Sequence, residues 1–312
     1  MRSFRLIPDD TRIPFVRYQY WAYAFSGALV LLTLILLPTE GLNLGIDFRG
    51  GILIEAGMPG PADLGAMRST LGNLGLGEVA LQEFGEPSNV LIRVERQAGG
   101  EEGQLAAVNE VKKALAESFG NDISYRRVEV VGPKVSGDLL WASAQAMFYA
   151  TVAILIYIWF RFEWQFAIGA IVALVHDAVT TLGLFSLFGL EFNLSSVAAV
   201  LTIIGYSTND TVVVYDRVRE NLRRYKAMPL SELVDRSINE TLARTVMTSL
   251  TTLVALLALV LFGGPVVRDF TIAMIWGVVI GTYSSVYVAA PMILHLHLRR
   301  EAVAPAAQAS EG

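Results

Sequence analysis

Gly205-Tyr206-Ser207-Thr208-Asn209-Asp210 decides how this chain is read. It lies towards one end of the apolar run Leu194 to Val214, which reaches the roughly 20 residues needed to cross a bilayer. An ionised carboxylate in such a run costs roughly 2.5–3.5 kcal/mol on insertion scales. A chain carries that cost where the group is buried in a protein interior or has a task there. An intramembrane Asp that takes up and releases a proton is the simplest proton carrier a protein can make. Tyr206 stands one helical turn before Asp210, on the same face. Gly205 would let another helix come close, and Asn209 could orient or satisfy the carboxylate.

The whole chain agrees with a membrane setting. Of 312 residues 54% are hydrophobic and 17% charged, against about 45–50% and 25% in soluble domains. The apolar residues come in long runs. The net charge of −5 says little, because charge is sorted by side of the membrane. There is no Cys, which excludes disulfides, thiol catalysis and Cys-based metal sites. The three His residues, His176, His295 and His297, do not suggest a metal centre. The last two read as interfacial, just beyond a span.

Six spans are expected, at 20–37, 141–160, 166–187, 194–214, 245–262 and 270–294. The first follows a leader of residues 1–19 with Arg2, Arg5, Arg12 and Arg17, and Tyr18, Tyr20, Trp21 and Tyr23 form an aromatic belt. Leu36-Leu37-Pro38-Thr39-Glu40 is a poor cleavage site, so this span reads as retained rather than as a signal peptide. Residues 38–138 differ from the rest, with charges, Gly turns and short amphipathic elements. Strands are expected at 46–56, 79–84, 89–95 and 123–131, and helices at 62–75 and 104–119. Gly85-Glu86-Pro87-Ser88 is read as a hairpin turn, and Leu105, Val108, Val111, Leu115 and Phe119 as the apolar stripe of the second helix. The order β-α-β-β-α-β is that of a ferredoxin-like α+β domain. Residues 215–243 read as an interfacial amphipathic segment broken near Met228-Pro229.

Lys and Arg in the short loops set the orientation. With the N-terminus cytoplasmic, the inside carries the N-terminal arginines, Arg161, the cluster from Arg217 to Arg244, and Arg299 and Arg300. The short outer loops carry Arg268. Both termini, including the tail 295–312, are therefore expected in the cytoplasm. The 38–138 domain is expected outside, which in a double-membrane bacterium is the periplasm. Arg217, Arg219, Arg223 and Arg224 read as topogenic and lipid-facing, not as a nucleic-acid patch.

Other polar residues lie within the spans. His176 and Asp177 sit mid-span and either hold the bundle together or titrate; Asp177 reads more as packing. Thr241, Thr245, Thr248, Ser249 and Thr252 make a hydroxyl stripe that should face the bundle interior. Arg244 stands at the entry to that span, free to snorkel or to reach inward and pair with Asp210. Proton arrival would break such a pair and let helices move. Gly277, Gly281 and Ser285 form a small-xxx-small face, a weak packing signal.

These residues resemble a known family. Gly45-Ile46-Asp47-Phe48-Arg49-Gly50-Gly51, Val131-Gly132-Pro133, Val175-His176-Asp177, Ile204 to Thr211, Tyr215 to Asn221, and Arg244-Thr245 with Thr248 and Ser249 look like the motifs of the SecD/SecF proteins. The likeness covers about residues 15–298. One small external domain and the Asn209-Asp210 form look like the SecF branch. The resemblance implies a polytopic helical protein that is half of an RND-type assembly, packed against a six-span SecD partner. It implies an accessory, non-enzymatic subunit of bacterial Sec export. Such a subunit contacts SecYEG, with YajC and YidC as further neighbours, in the inner membrane. It helps draw unfolded exported polypeptides outward, with protons as the only cofactor. Asp210 and Arg244 fall where the family places proton-coupling residues. Competing readings are a small-molecule RND exporter, an intramembrane aspartyl protease using Asp177 and Asp210, and a purely structural assembly factor.

Overall fold

The computed structural model describes residue 8 and residues 11–264 and 267–296. Arg2, Arg5, His297, Arg299, Arg300 and the tail beyond them lie outside the described residues. Six helical stretches among the described residues are long and apolar enough to cross a membrane. They are α1 (Gln19–Thr39), α5 (Pro133–Arg161), α6 (Trp164–Phe188), α7 (Leu194–Arg224), α8 (Leu230–Phe262) and a last one built in three pieces. That last helix runs as α9 (Arg268–Ser284), a π-helical turn (Ser285–Ala289) and α10 (Ala290–His295). The widening has a covalent cause: Pro291 has no N–H to offer the turn before it.

The bundle is built around α6, α7 and the last helix. In their most apolar stretches 56%, 50% and 61% of residues are buried, against 6% in α5 and 11% in α8. Outward-facing large side chains such as Phe148, Tyr157, Trp159, Val254 and Leu257 therefore line α5 and α8. Tyr18, Tyr20 and Trp21 are also exposed, as a belt at an interface requires.

The segment expected to lie along the interface is helical and continuous with the spans on either side. α7 runs on to Arg224, the chain turns before Leu230, and α8 starts there. The two extensions clasp each other. Arg217 pairs with Glu220 at 2.6 Å and Glu240 at 2.8 Å, Arg236 pairs with Glu240 at 2.8 Å, and Asn221 donates to Ser237 at 3.0 Å. Arg217 is thus held by carboxylates rather than facing lipid. The N-terminal segment joins this clasp. Asn239 exchanges hydrogen bonds with the backbone of Ile13, both at 2.9 Å, and Val16 N–H donates to Asp235 at 2.8 Å.

Between α1 and α5 lies the inserted domain. Its elements are a two-residue strand β1 (Asn43–Leu44), a short helix α2 (Ile46–Arg49), β2 (Gly51–Gly57), α3 (Leu64–Gly72), β3 (Val79–Phe84), β4 (Glu86–Val94), α4 (Gly100–Phe119) and β5 (Ser124–Val131). β2 to β5 form an antiparallel sheet in the order β3-β4-β2-β5. Ile52, Ile54 and Ala56 of the central strand bury against Met67, Leu71, Val108, Val111 and Leu115 of the two helices. Leu53 turns to the other face, where Ile46 and Leu91 meet it.

Three local expectations change. Residues 46–49 are helical rather than the start of the strand. Gly50 and Gly51 follow at φ +72° and +122°, a backbone that favours Gly and separates α2 from β2. Val108, Val111 and Leu115 of the expected α4 stripe are buried and Phe119 packs against the same core, but Leu105 is half exposed and Gln104 is buried in its place. The hairpin turn is tighter, because β4 starts at Glu86 directly after Gly85.

Candidate functional site

The residues singled out within the spans fall into two places. The first is centred on Asp177, whose side chain is fully buried. His176 Nδ1 lies 2.8 Å from its Oδ1. Ser207 of α7 and Ser284 of α9 both donate to Oδ2, at 2.5 and 2.7 Å. One carboxylate thus ties together α6, α7 and α9. Next to it α9 meets α7 at Gly277 and Gly281. A Cβ on Gly277 would stand 2.1 Å from Ile203, and one on Gly281 2.9 Å from Ser207. Thr211 and Ser285 close the layer with a hydroxyl bond of 2.8 Å. The small-residue face therefore lets these two helices pack closely.

The second place is Asp210. It is 3% exposed, and its Oδ2 is buried without a hydrogen-bond partner among the described residues. Thr245 Oγ1 on α8 is buried and unpartnered in the same way. Arg244, the residue before it, is exposed. It forms no ion pair with Asp210 among the described residues. Tyr206, one turn before, has its hydroxyl 3.5 Å from Thr252. Thr241, Thr245 and Ser249 are buried, with Ser249 bonded to Thr282 at 2.7 Å. The hydroxyl stripe therefore faces inward over these positions, while Thr248 and Thr252 are half buried.

Two sequence expectations on α7 are corrected. Asn209 is exposed and makes no hydrogen bond to Asp210; one step along a helix turns a side chain by about 100°. Gly205 meets no neighbouring helix, and a Cβ there would face open space. With Ala198 and Thr202 it belongs to an exposed stripe of small residues that runs on to Asn209. Ser207, Ser284 and Thr245 enter the polar layer without having been singled out as Asp177 or Asp210 partners. Ser207 had one readable signal, its place one turn from Asp210 on α7. Asp177 and Asp210 share no hydrogen bond: the first is bonded within its own cluster and the second stands apart from it.

The chain matches the family model for the protein export membrane proteins SecD/SecF, C-terminal, over residues 110–299, and that for the SecD/SecF GG motif over residues 35–57. A protein translocase subunit SecF of Rickettsia rickettsii is 46% identical, with 93% of this chain and 93% of that protein covered. The SecF subunit of Rhodobacter capsulatus is 47% identical, over 95% and 92%. The crystal structure of SecDF from Thermus thermophilus superposes with a TM-score of 0.83 at 35% identity, covering 92% of this chain. The chain spans 39% of that longer protein. A SecDF structure in a super-membrane-facing form gives a TM-score of 0.70 at 33% identity, covering 95% of this chain and 40% of that one. On the family models and on relatives matched over almost their full length, this chain belongs to the SecD/SecF family of protein export membrane proteins.

Proposed function

We propose that this multi-pass inner-membrane chain, an accessory subunit of Sec protein export, couples proton entry to the outward movement of exported polypeptides, with Asp210 as the proton carrier. The observation that carries this is the buried Asp210 Oδ2 with no partner. An ionised carboxylate in that state is costly, and a proton removes the cost. Asp177, held by three donors, offers no such vacancy. Arg244, on α8, is the positive charge this scheme assigns to the ionised Asp210. Asn209 borders the site on its exposed side. His176 and Asp177 serve as the fixed frame against which α7 is held.

The partner in this reading is a SecD half, joined along the exposed small stripe of α7 and the apolar faces of α5 and α8. The SecDF chain of Thermus thermophilus, of which this chain matches 39%, supports that pairing. SecYEG is the channel served, with YajC and YidC as neighbours and unfolded exported chains as substrate. Both termini lie in the cytoplasm and the inserted domain in the periplasm. The β-α-β-β-α-β order, with the first strand paired between the last and the third, supports reading that domain as ferredoxin-like. Protons are the only cofactor the scheme needs, and no bond of the substrate is made or cut.

The energies suffice. A proton crossing about 100 mV releases roughly 2.3 kcal/mol, and one pH unit adds about 1.4. A few kcal/mol moves a two-state element between populations. The test is export of a secreted reporter into inverted vesicles holding this chain with its partner, with and without a proton gradient. Asp210→Asn, at normal amounts in the membrane, should abolish the gradient-dependent part. Unchanged export would make Asp210 a packing residue and the chain a scaffold.

A further inference from the structure

The inserted domain can follow a proton event on α7 only where it is joined to α7. The segment Asn43 to Gly51 is where the two meet. β1 pairs in parallel with a two-residue strand β6 (Glu191–Phe192) on the link from α6 to α7, with Asn43 opposite Glu191. Gly45 N–H donates to the Phe192 carbonyl at 2.9 Å. Gly45 is small for a reason, since a Cβ there would stand 2.7 Å from Glu191 Oε1. Asp47 Oδ2 accepts from the backbone N–H of Leu194, the first residue of α7, at 2.9 Å. Asn193 caps the same turn through Ser196 N–H at 3.1 Å. A carboxylate at a helix N-terminus meets both a free donor and the positive end of the helix dipole. Phe48 packs on Phe192, ring centroids 5.9 Å apart, and joins the buried cluster of Val197, Val200 and Ile203 on α7. From the sheet side, Arg93 of β4 pairs with Glu191.

We propose that Asp47 is a positioning residue that clamps the inserted domain to the first turn of α7, so that domain, clamp and Asp210 helix move as one body. This rests on the reading of Asp210 as the proton carrier. The clamp joins strand β2 to α7 through Gly50, α2 and two hydrogen-bonded crossings.

The test compares Asp47→Ala, which removes the acceptor, with Asp47→Asn, which keeps one. Both are assayed in inverted vesicles with the partner half, for gradient-dependent export and for proton uptake followed by a pH-sensitive dye. Asp47→Ala should lose about tenfold in gradient-dependent export, the size of a typical coupling between two sites, while proton uptake persists. Asp47→Asn should recover most of the export. Because the chain has no Cys, Asn43→Cys with Glu191→Cys gives a clean cross-link across β1 and β6. Oxidising that pair should leave export at its reduced-state level, and this arm decides the question if Asp47→Ala fails to accumulate. Wild-type export in Asp47→Ala, equal loss of export and proton uptake, or export blocked by the cross-link would each overturn the clamp. Full gradient-dependent export in Asp210→Asn would instead overturn the proton reading itself, whatever Asp47 does.

Discussion

Asp177 and Asp210 are both buried carboxylates of the helical bundle, and the fold treats them in opposite ways. Asp177 receives a His and two hydroxyls from three helices. Asp210 keeps an oxygen with no donor at all among the described residues. A buried polar group that is fully bonded fixes a structure; an ionised one left open carries a desolvation cost that protonation relieves. Ser207, which reaches Asp177, and Asp210 stand one turn apart on α7. One helix thus carries both the fixed contact and the free one.

Four substitutions would break or sharpen this contrast, beginning with the largest effect. Asp210→Asn should remove the gradient-dependent part of export almost completely while leaving thermal stability in detergent near wild type, because no hydrogen bond is lost. Asp177→Leu should do the reverse. It strands three donors, each worth about 0.6–1.7 kcal/mol in membrane helices, and should lower unfolding stability by about 2–5 kcal/mol. Export should fall in step with the amount of folded protein. Gly277→Val drives a side chain into Ile203 and should cost about 1–3 kcal/mol by overpacking, read as a lower melting temperature with gradient dependence retained. Ser207→Ala removes one of the donors to Asp177 and should cost only about 1 kcal/mol, with export close to normal. If Ser207→Ala proved as damaging to gradient-driven export as Asp210→Asn, the division between frame and carrier would fail.

The sequence was most legible where one residue class dominates a long window. Six apolar runs, the charged insert and the Asp210 stretch can all be read from it, because hydropathy and strand-helix alternation are local signals. Contacts across the bundle were not legible. Ser284 lies 107 residues from Asp177, and nothing in either neighbourhood announces the pairing. Asn209 drew attention as the neighbour of Asp210, yet helical rotation turns it outward and turns Ser207 towards Asp177. The start of β2 was misread for a related reason. Ile46 and Phe48 alternate as a strand does, but Gly50 and Gly51 break the backbone between them and the sheet. On α4 the stripe was read correctly at Val108, Val111 and Leu115 and misread at its first position, because Leu105 outranks Gln104 in hydrophobicity although Gln104 is the buried one. The weak small-residue signal at Gly277 and Gly281 proved to mark close packing of α9 on α7, since close backbone approach needs only the absence of side chains.

The central claim is that Asp210 changes protonation while Asp177 does not. Infrared difference spectroscopy of the protein in lipid with its partner half, stepped in pH, reads the carbonyl stretch of a protonated carboxylic acid directly. The account predicts one such band that grows on acidification, is absent in Asp210→Asn and is unchanged in Asp177→Asn. A band that survives in Asp210→Asn and vanishes in Asp177→Asn would contradict it, and would move the proton to the bonded site.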